Sequence, residues 1–150
     1  MPNRHQGPNI PHPKRRGEWA ELRFQLRATE QGLILAKPCG DCAPYDFLVA
    51  CPERANSDRR DHHGHFLRVQ VKCTVFHRGN SYKCHLDHNG SPYTSAQIDF
   101  FAAYVIPADT FYILPLAATH SQPDILLSPH LEKSKYSLYK EAWHLLTQEL

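Results

Sequence analysis

The chain has 150 residues, 41% hydrophobic and 21% charged, with a formal net charge of +2. That length suits a single domain and that balance supplies a core, which excludes a wholly disordered chain. No stretch approaches the roughly 20 apolar residues of a membrane span, so no membrane partner is expected. The small net charge neither demands nor forbids a nucleic-acid partner, because a local basic patch decides that. Five cysteines, an odd number, occur without a signal-peptide pattern at the start, and read as reduced thiols of a cytoplasmic protein.

Residues 1–13 hold four prolines and few apolar residues. They read as a flexible arm, leaving 14–150 as the domain. Lys14, Arg15 and Arg16 follow, adjoin a helix start and suit phosphate contacts. After Gly17 a helical stretch runs from Glu18 to about Glu30, ended by Gly32. Leu33 to Ala36 reads as a short strand, 38–44 as a turn, and Tyr45 to Cys51 as a second strand. The polar segment 52–64 reads as a loop. Phe66 to Val75 alternates as a strand, with Tyr82 to Leu86 as its hairpin partner through Arg78-Gly79-Asn80. Thr94 to Gln97 has the pattern of a helix start. Phe100 to Ile106 and Phe111 to Leu116 are two further strands, and Lys135 to Leu146 is a closing helix. The order predicts a mixed α/β domain with one central sheet.

Side chains alternate across a strand. In Arg68-Val-Gln-Val-Lys72, therefore, Gln70 and Lys72 share one face, while Val69, Val71 and Cys73 share the other. An amide and an ammonium projecting together from an apolar strand need a polar neighbour. Asp46 is the lone acid in the apolar run Tyr45-Asp-Phe-Leu-Val-Ala50, and burial makes a carboxylate there costly unless it is paired or metal-bound. At about 100° per residue, Arg23, Arg27 and Glu30 form a solvated helix face. Glu21 lies opposite them and points inward, and Glu18, one turn earlier, is a weaker candidate. Two carboxylates, an amide oxygen, the Val71 carbonyl and a lysine can assemble a phosphodiesterase site around a hard cation such as Mg²⁺. Residue type alone leaves a plain Asp–Lys ion pair open as well.

The ordered blocks Lys14-Arg-Arg-Gly-Glu-Trp-Ala-Glu21, Tyr45-Asp46, Arg68-Val-Gln-Val-Lys72, Ile98-Asp-Phe-Phe-Ala-Ala-Tyr-Val105, Phe111-Tyr-Ile-Leu-Pro115 and Glu141-Ala-Trp143 resemble the group I intron-associated PD-(D/E)XK endonucleases across most of 14–146. The resemblance implies a restriction-endonuclease-like core, a central mixed β-sheet flanked by α-helices. It implies homing-endonuclease-like, Mg²⁺-dependent hydrolysis of double-stranded DNA, with Mn²⁺ substituting, by a homodimer or homotetramer. It maps the helix acid onto Glu21, the PD acid onto Asp46, and the D/E-X-K triplet onto Gln70, Val71 and Lys72. Tyr45 stands where the motif has Pro, and Gln70 where it has an acid. The second change lowers the negative charge offered to a metal and leaves a binding-only relative open, beside a nickase or junction-resolving nuclease.

Three signals remain. Cys39-Gly-Asp-Cys42 has zinc-ligand spacing, with His62, His63 and His65 downstream. Without a second such pair, however, it reads as a turn with two incidental thiols. Cys73 has no Cys-His signature around it and reads as a core thiol. Trp19 and Trp143 read as core aromatics.

Overall fold

The computed structural model describes residues 7–50 and 66–147. Cys51, the expected 52–64 loop, His62, His63, His65 and the first six residues of the expected arm lie outside the described residues. In chain order the elements are α1 (Pro13–Glu30), β1 (Ile34–Ala36), β2 (Phe47–Ala50), β3 (Phe66–Thr74), β4 (His77–Arg78), β5 (Ser81–His85), β6 (Phe100–Val105), β7 (Thr110–Pro115) and β8 (Asp124–Leu127), with short 3₁₀ turns between the later ones.

Helix α1 starts at Pro13, ahead of the expected Glu18. A proline in the first turn forfeits only an N–H that has no helical partner there. Residues before it run along the domain: a Cβ on Gly7 would lie 2.7 Å from the Ile106 carbonyl oxygen. Arg16 Nη1 donates to the carbonyls of Ile10 (3.1 Å) and Pro11 (2.9 Å). The helix buries Ala20, Phe24 and Ala28, spaced one turn apart, and ends where Gly32 turns left-handed at φ +79.

Five strands form the central sheet in the order β1-β2-β3-β6-β7. Only the β3–β6 pair is parallel among these neighbours. Strand β6 is buried at every position, so its alternation serves two cores. Phe100, Ala102 and Tyr104 join the cluster under α1, while Phe101, Ala103 and Val105 join a second cluster on the other face. That second face is covered by another sheet, β4-β5-β8, which contributes Tyr82, Cys84, Ile125 and Leu127. The sheet is mixed and central, as the sequence predicts, but it is not the only one.

Four local expectations are corrected. Strand β5 is not a ladder partner of β3; it pairs with β4 and β8. Buried Thr74 accounts for this, because its hydroxyl donates to the Lys83 carbonyl and accepts from Phe76 N–H, turning the chain out of the first sheet. Thr94 to Gln97 makes one turn, with Gln97 Oε1 accepting from Thr94 N–H at 2.9 Å, and no helix follows. Arg68 holds the Ser95 and Ala96 carbonyls and the Asp99 carboxylate, which draws the next residues into β6. In place of a closing helix over 135–146 there are two 3₁₀ turns, Ser137–Tyr139 and Trp143–Leu146. Between them Glu141 is left-handed at φ +49, and its carboxylate accepts from Phe111 N–H (2.8 Å) and Trp143 Nε1–H (2.7 Å). Finally, Arg23 and Arg27 are not a solvated face. Both donate to Asp109, at 2.9 and 2.6 Å, and Tyr104 Oη–H donates to the same carboxylate.

Candidate active site at the start of the second strand

Asp46 sits immediately before β2, whose ladder with β3 begins at Phe47–Val69. Its backbone N–H extends that pairing to the Val69 carbonyl at 2.9 Å. Beyond this point β3 continues without β2 beside it. The notch is filled by the Asp46 carboxylate, whose Oδ2 accepts from Val71 N–H at 2.8 Å. In a strand a residue's N–H and C=O leave by the same edge, so the Val71 carbonyl also faces Asp46.

Gln70 and Lys72 are half-buried where Val69 and Val71 are buried, as the alternation requires. In register they stand beside Phe101 and Ala103 of β6, which places them on the face covered by the second sheet. The Gln70 side chain makes no hydrogen bond among the described residues. The Lys72 ammonium donates to the Asp87 carbonyl at 3.1 Å and lies 5.1 Å from the centre of the Tyr93 ring.

Glu21 comes from the other side of the sheet, on α1. It is half-buried, and its Oε2 is held by Lys37 Nζ at 2.7 Å. Glu18 is exposed and contributes to the site only a distant field at Lys37.

The charges are coupled. Burial pushes the Asp46 carboxyl from 3.8 to about 6; the Val71 hydrogen bond opposes this, the negative field of Glu21 adds to it, and Lys72 and Lys37 offset part of it. Burial likewise lowers Lys72, against the fields of Cys84, Asp46 and Asp87. Burial and the nearby Asp46 charge push the Tyr93 phenol up to about 12. A half-buried acid and a half-buried lysine, each pushed toward neutrality, mark a site whose charges are not fully compensated by the fold.

The donor set fits a hard divalent cation. Among the described residues Asp46 keeps one carboxylate oxygen without a donor and Gln70 an amide oxygen without a partner; Val71 offers a carbonyl and Glu21 a carboxylate. All are oxygens. Among the described residues no three of His, Cys, Asp and Glu gather as a metal group. Cys39 and Cys42 are exposed, and no group of three metal-ligating His, Cys, Asp or Glu side chains forms around them among the described residues. Cys73 is half-buried against the α1 core, where burial raises its thiol. Trp19 and Trp143 both pack into that core.

Lys14 and Arg15 are exposed, whereas Arg16 is half-buried and committed to the carbonyls named above. The first turn of α1 carries no acid, so these cations oppose the helix dipole. Sequence reading missed Lys37, Asp87 and Tyr93. Asn89-Gly90, which shapes the loop between the last two, is the sequence signal that marks that segment.

The family model for PD-(D/E)XK endonucleases matches residues 11–146. The structure of the bacterial homing endonuclease I-Ssp6803I aligns with a TM-score of 0.70 at 26% sequence identity, covering 92% of this chain and 93% of that one. Comparison with curated protein sequences gives no match. The family match spans α1, both halves of the notch and all of the central sheet, and on it the chain belongs to the PD-(D/E)XK endonuclease family.

Proposed function

We propose that this nuclease is a Mg²⁺-dependent endonuclease that hydrolyses phosphodiester bonds of double-stranded DNA in the manner of a homing endonuclease, with Mn²⁺ able to substitute. The observation that carries this reading is Asp46 in the notch. Its carboxylate is anchored by Val71 N–H and electrostatically coupled to Glu21 and Lys72. Asp46, Gln70, the Val71 carbonyl and Glu21 would hold the cation. When bound, the cation supplies Lewis acidity at the scissile phosphate and eases deprotonation of water.

The chain's own groups do the rest. Asp46 must be ionised to serve; with its carboxyl raised to about 6 by burial it is largely ionised near neutral pH and is lost to protonation as pH falls through that value. Lys72, desolvated and fixed at Nζ, orients the attacking water and offsets the charge that develops on the phosphate. Lys14 and Arg15 extend from α1 toward solvent and supply backbone phosphate contacts. Two copies of the chain, or four, would bring one site to each DNA strand.

The test is incubation of the protein with supercoiled plasmid and with branched DNA, with Mg²⁺, with Mn²⁺ and with chelator. Metal-dependent linear product supports the reading. Nicks alone, or cleavage of branched DNA alone, replace it with a nickase or a junction-resolving enzyme. Binding without cleavage under either metal identifies a relative that Gln70 has left inert.

A further inference from the structure

Lys72 does not stand alone on its face. The chain that leaves β5 passes directly beneath it, and Asp87 presents its carbonyl to Lys72 Nζ at 3.1 Å. The chain then reverses at Asn89 and Gly90, both left-handed with φ +49 and +79. Two consecutive left-handed residues, Asn then Gly, make the type I′ turn that closes a tight hairpin. His88 and Ser91 clasp it with two reciprocal backbone hydrogen bonds of 3.0 Å. The returning chain delivers Tyr93, whose ring centre is 5.1 Å from the same ammonium.

The ring is itself fixed. Tyr93 is only 6% exposed, Phe101 meets it edge-on at 5.4 Å, and His88 covers it at 5.8 Å. A carbonyl dipole and an aromatic face are both neutral groups that attract an ammonium. Neither is a carboxylate that would lock the lysine in an ion pair and withhold it from a phosphate.

We infer that Tyr93 is a positioning residue for cleavage: with the Asp87 carbonyl, held by the Asn89-Gly90 turn, its ring aims Lys72 at the scissile phosphate. This rests on the nuclease reading above. The ring, not the hydroxyl, does the aiming, since no hydrogen bond from the Tyr93 hydroxyl occurs among the described residues.

The test uses the whole chain, wild type beside Tyr93→Leu and Tyr93→Phe, on a target selected from a plasmid pool with randomised inserts. Single-turnover cleavage in Mg²⁺ and DNA affinity are measured for each. With lysine labelled at Cε, NMR reads the ring-current shift of the Lys72 ε-protons. Tyr93→Leu is expected to lose about tenfold to a hundredfold in cleavage rate, the scale of a catalytic group misplaced by about 1 Å, while DNA affinity stays within about threefold. Its Lys72 ε-protons lose their upfield shift. Tyr93→Phe rescues both the shift and most of the rate. Three results overturn the inference: a Leu variant that cleaves like wild type, a Phe variant as slow as Leu, or wild-type ε-protons without a ring-current shift. Should the wild type cleave nothing under any divalent metal, the nuclease reading falls and this role falls with it. A cleaving wild type with an indifferent Leu variant sinks the role alone.

Discussion

The two faces of the central sheet use the same alternation of side chains for opposite ends. On the α1 face the alternate positions are apolar throughout: Phe24 packs on Phe47 at 5.2 Å, on Trp143 at 5.6 Å and on Phe111 at 6.0 Å. The opposite face places Gln70 and Lys72 in line with Phe101 and Ala103, so a packed apolar layer changes into a polar one within two residues. One face is closed by packing that satisfies itself. The other holds groups that burial has pushed away from their charged states. Both faces carry a buried core, but only the second also holds half-buried charges that burial pushes toward neutrality, and the proposed chemistry falls there.

That division can be broken with one substitution on each side. Lys72→Ala is expected to lower cleavage by about 10²–10⁴-fold, the range for removing a transition-state contact, while shifting the melting temperature by only a few degrees. Phe24→Ala is expected to do the reverse, costing about 3–5 kcal/mol of stability with cleavage per folded molecule retained. Denaturant melts and single-turnover rates on both variants decide it; a Lys72→Ala protein that unfolds as readily as Phe24→Ala would erase the distinction.

A smaller effect sharpens the same contrast. Because Asp46 rises from 3.8 to about 6, between those pH values the folded protein holds a proton that the unfolded chain has released. Stability thus falls as pH climbs through that window and stays low above it. Asp46→Asn removes the penalty. In metal-free buffer at pH 8 it should stabilise the fold by about 1–3 kcal/mol while abolishing cleavage, and the gain should vanish near pH 4. An Asn variant less stable than wild type at pH 8 would mean that the carboxylate is paid for within the fold and is not poised for a cation. Gln70→Glu should tighten Mg²⁺ binding, read by calorimetry, since it restores a charged ligand. The smallest expected change is in Cys39→Ser with Cys42→Ser: both thiols are exposed, so melting temperature, cleavage and metal content should all match wild type.

Much of the site is legible in the sequence because it is local. Gln70 and Lys72 fall on one face by simple alternation, and Asp46 stands out as an acid in an apolar run. The same holds for β6 and β7, whose apolar stretches are long enough to declare themselves. What is not legible depends on residues far apart in the chain. Arg23 and Arg27 look solvated on a helical wheel because Asp109, their partner, lies more than eighty positions away. The apolar spacing of 135–146 fits a helix until Glu141 leaves it to bridge Phe111 and Trp143. Strand β8 is only four residues long, too short for its alternation to be distinctive. Tyr93 meets Lys72 only through the crossover, though the Asn89-Gly90 pair announces the turn that brings it there.

The parallel pairing of β3 with β6 has a consequence for the order of folding. Hairpins such as β6–β7 can form as soon as their residues exist, whereas β6 reaches β3 only after the whole stretch 75–99 has closed on itself. Such non-local closure is the slow step in reaching a native topology. Asp87 and Tyr93 lie inside that stretch, so Lys72 acquires its two contacts at the same moment that the sheet is completed. A chain caught earlier carries Asp46 and Lys72 but holds the lysine in water, unaimed. Hydrogen exchange at the β3–β6 ladder and recovery of cleavage after refolding should then follow one time course, with the chemistry switched off in every partly folded chain.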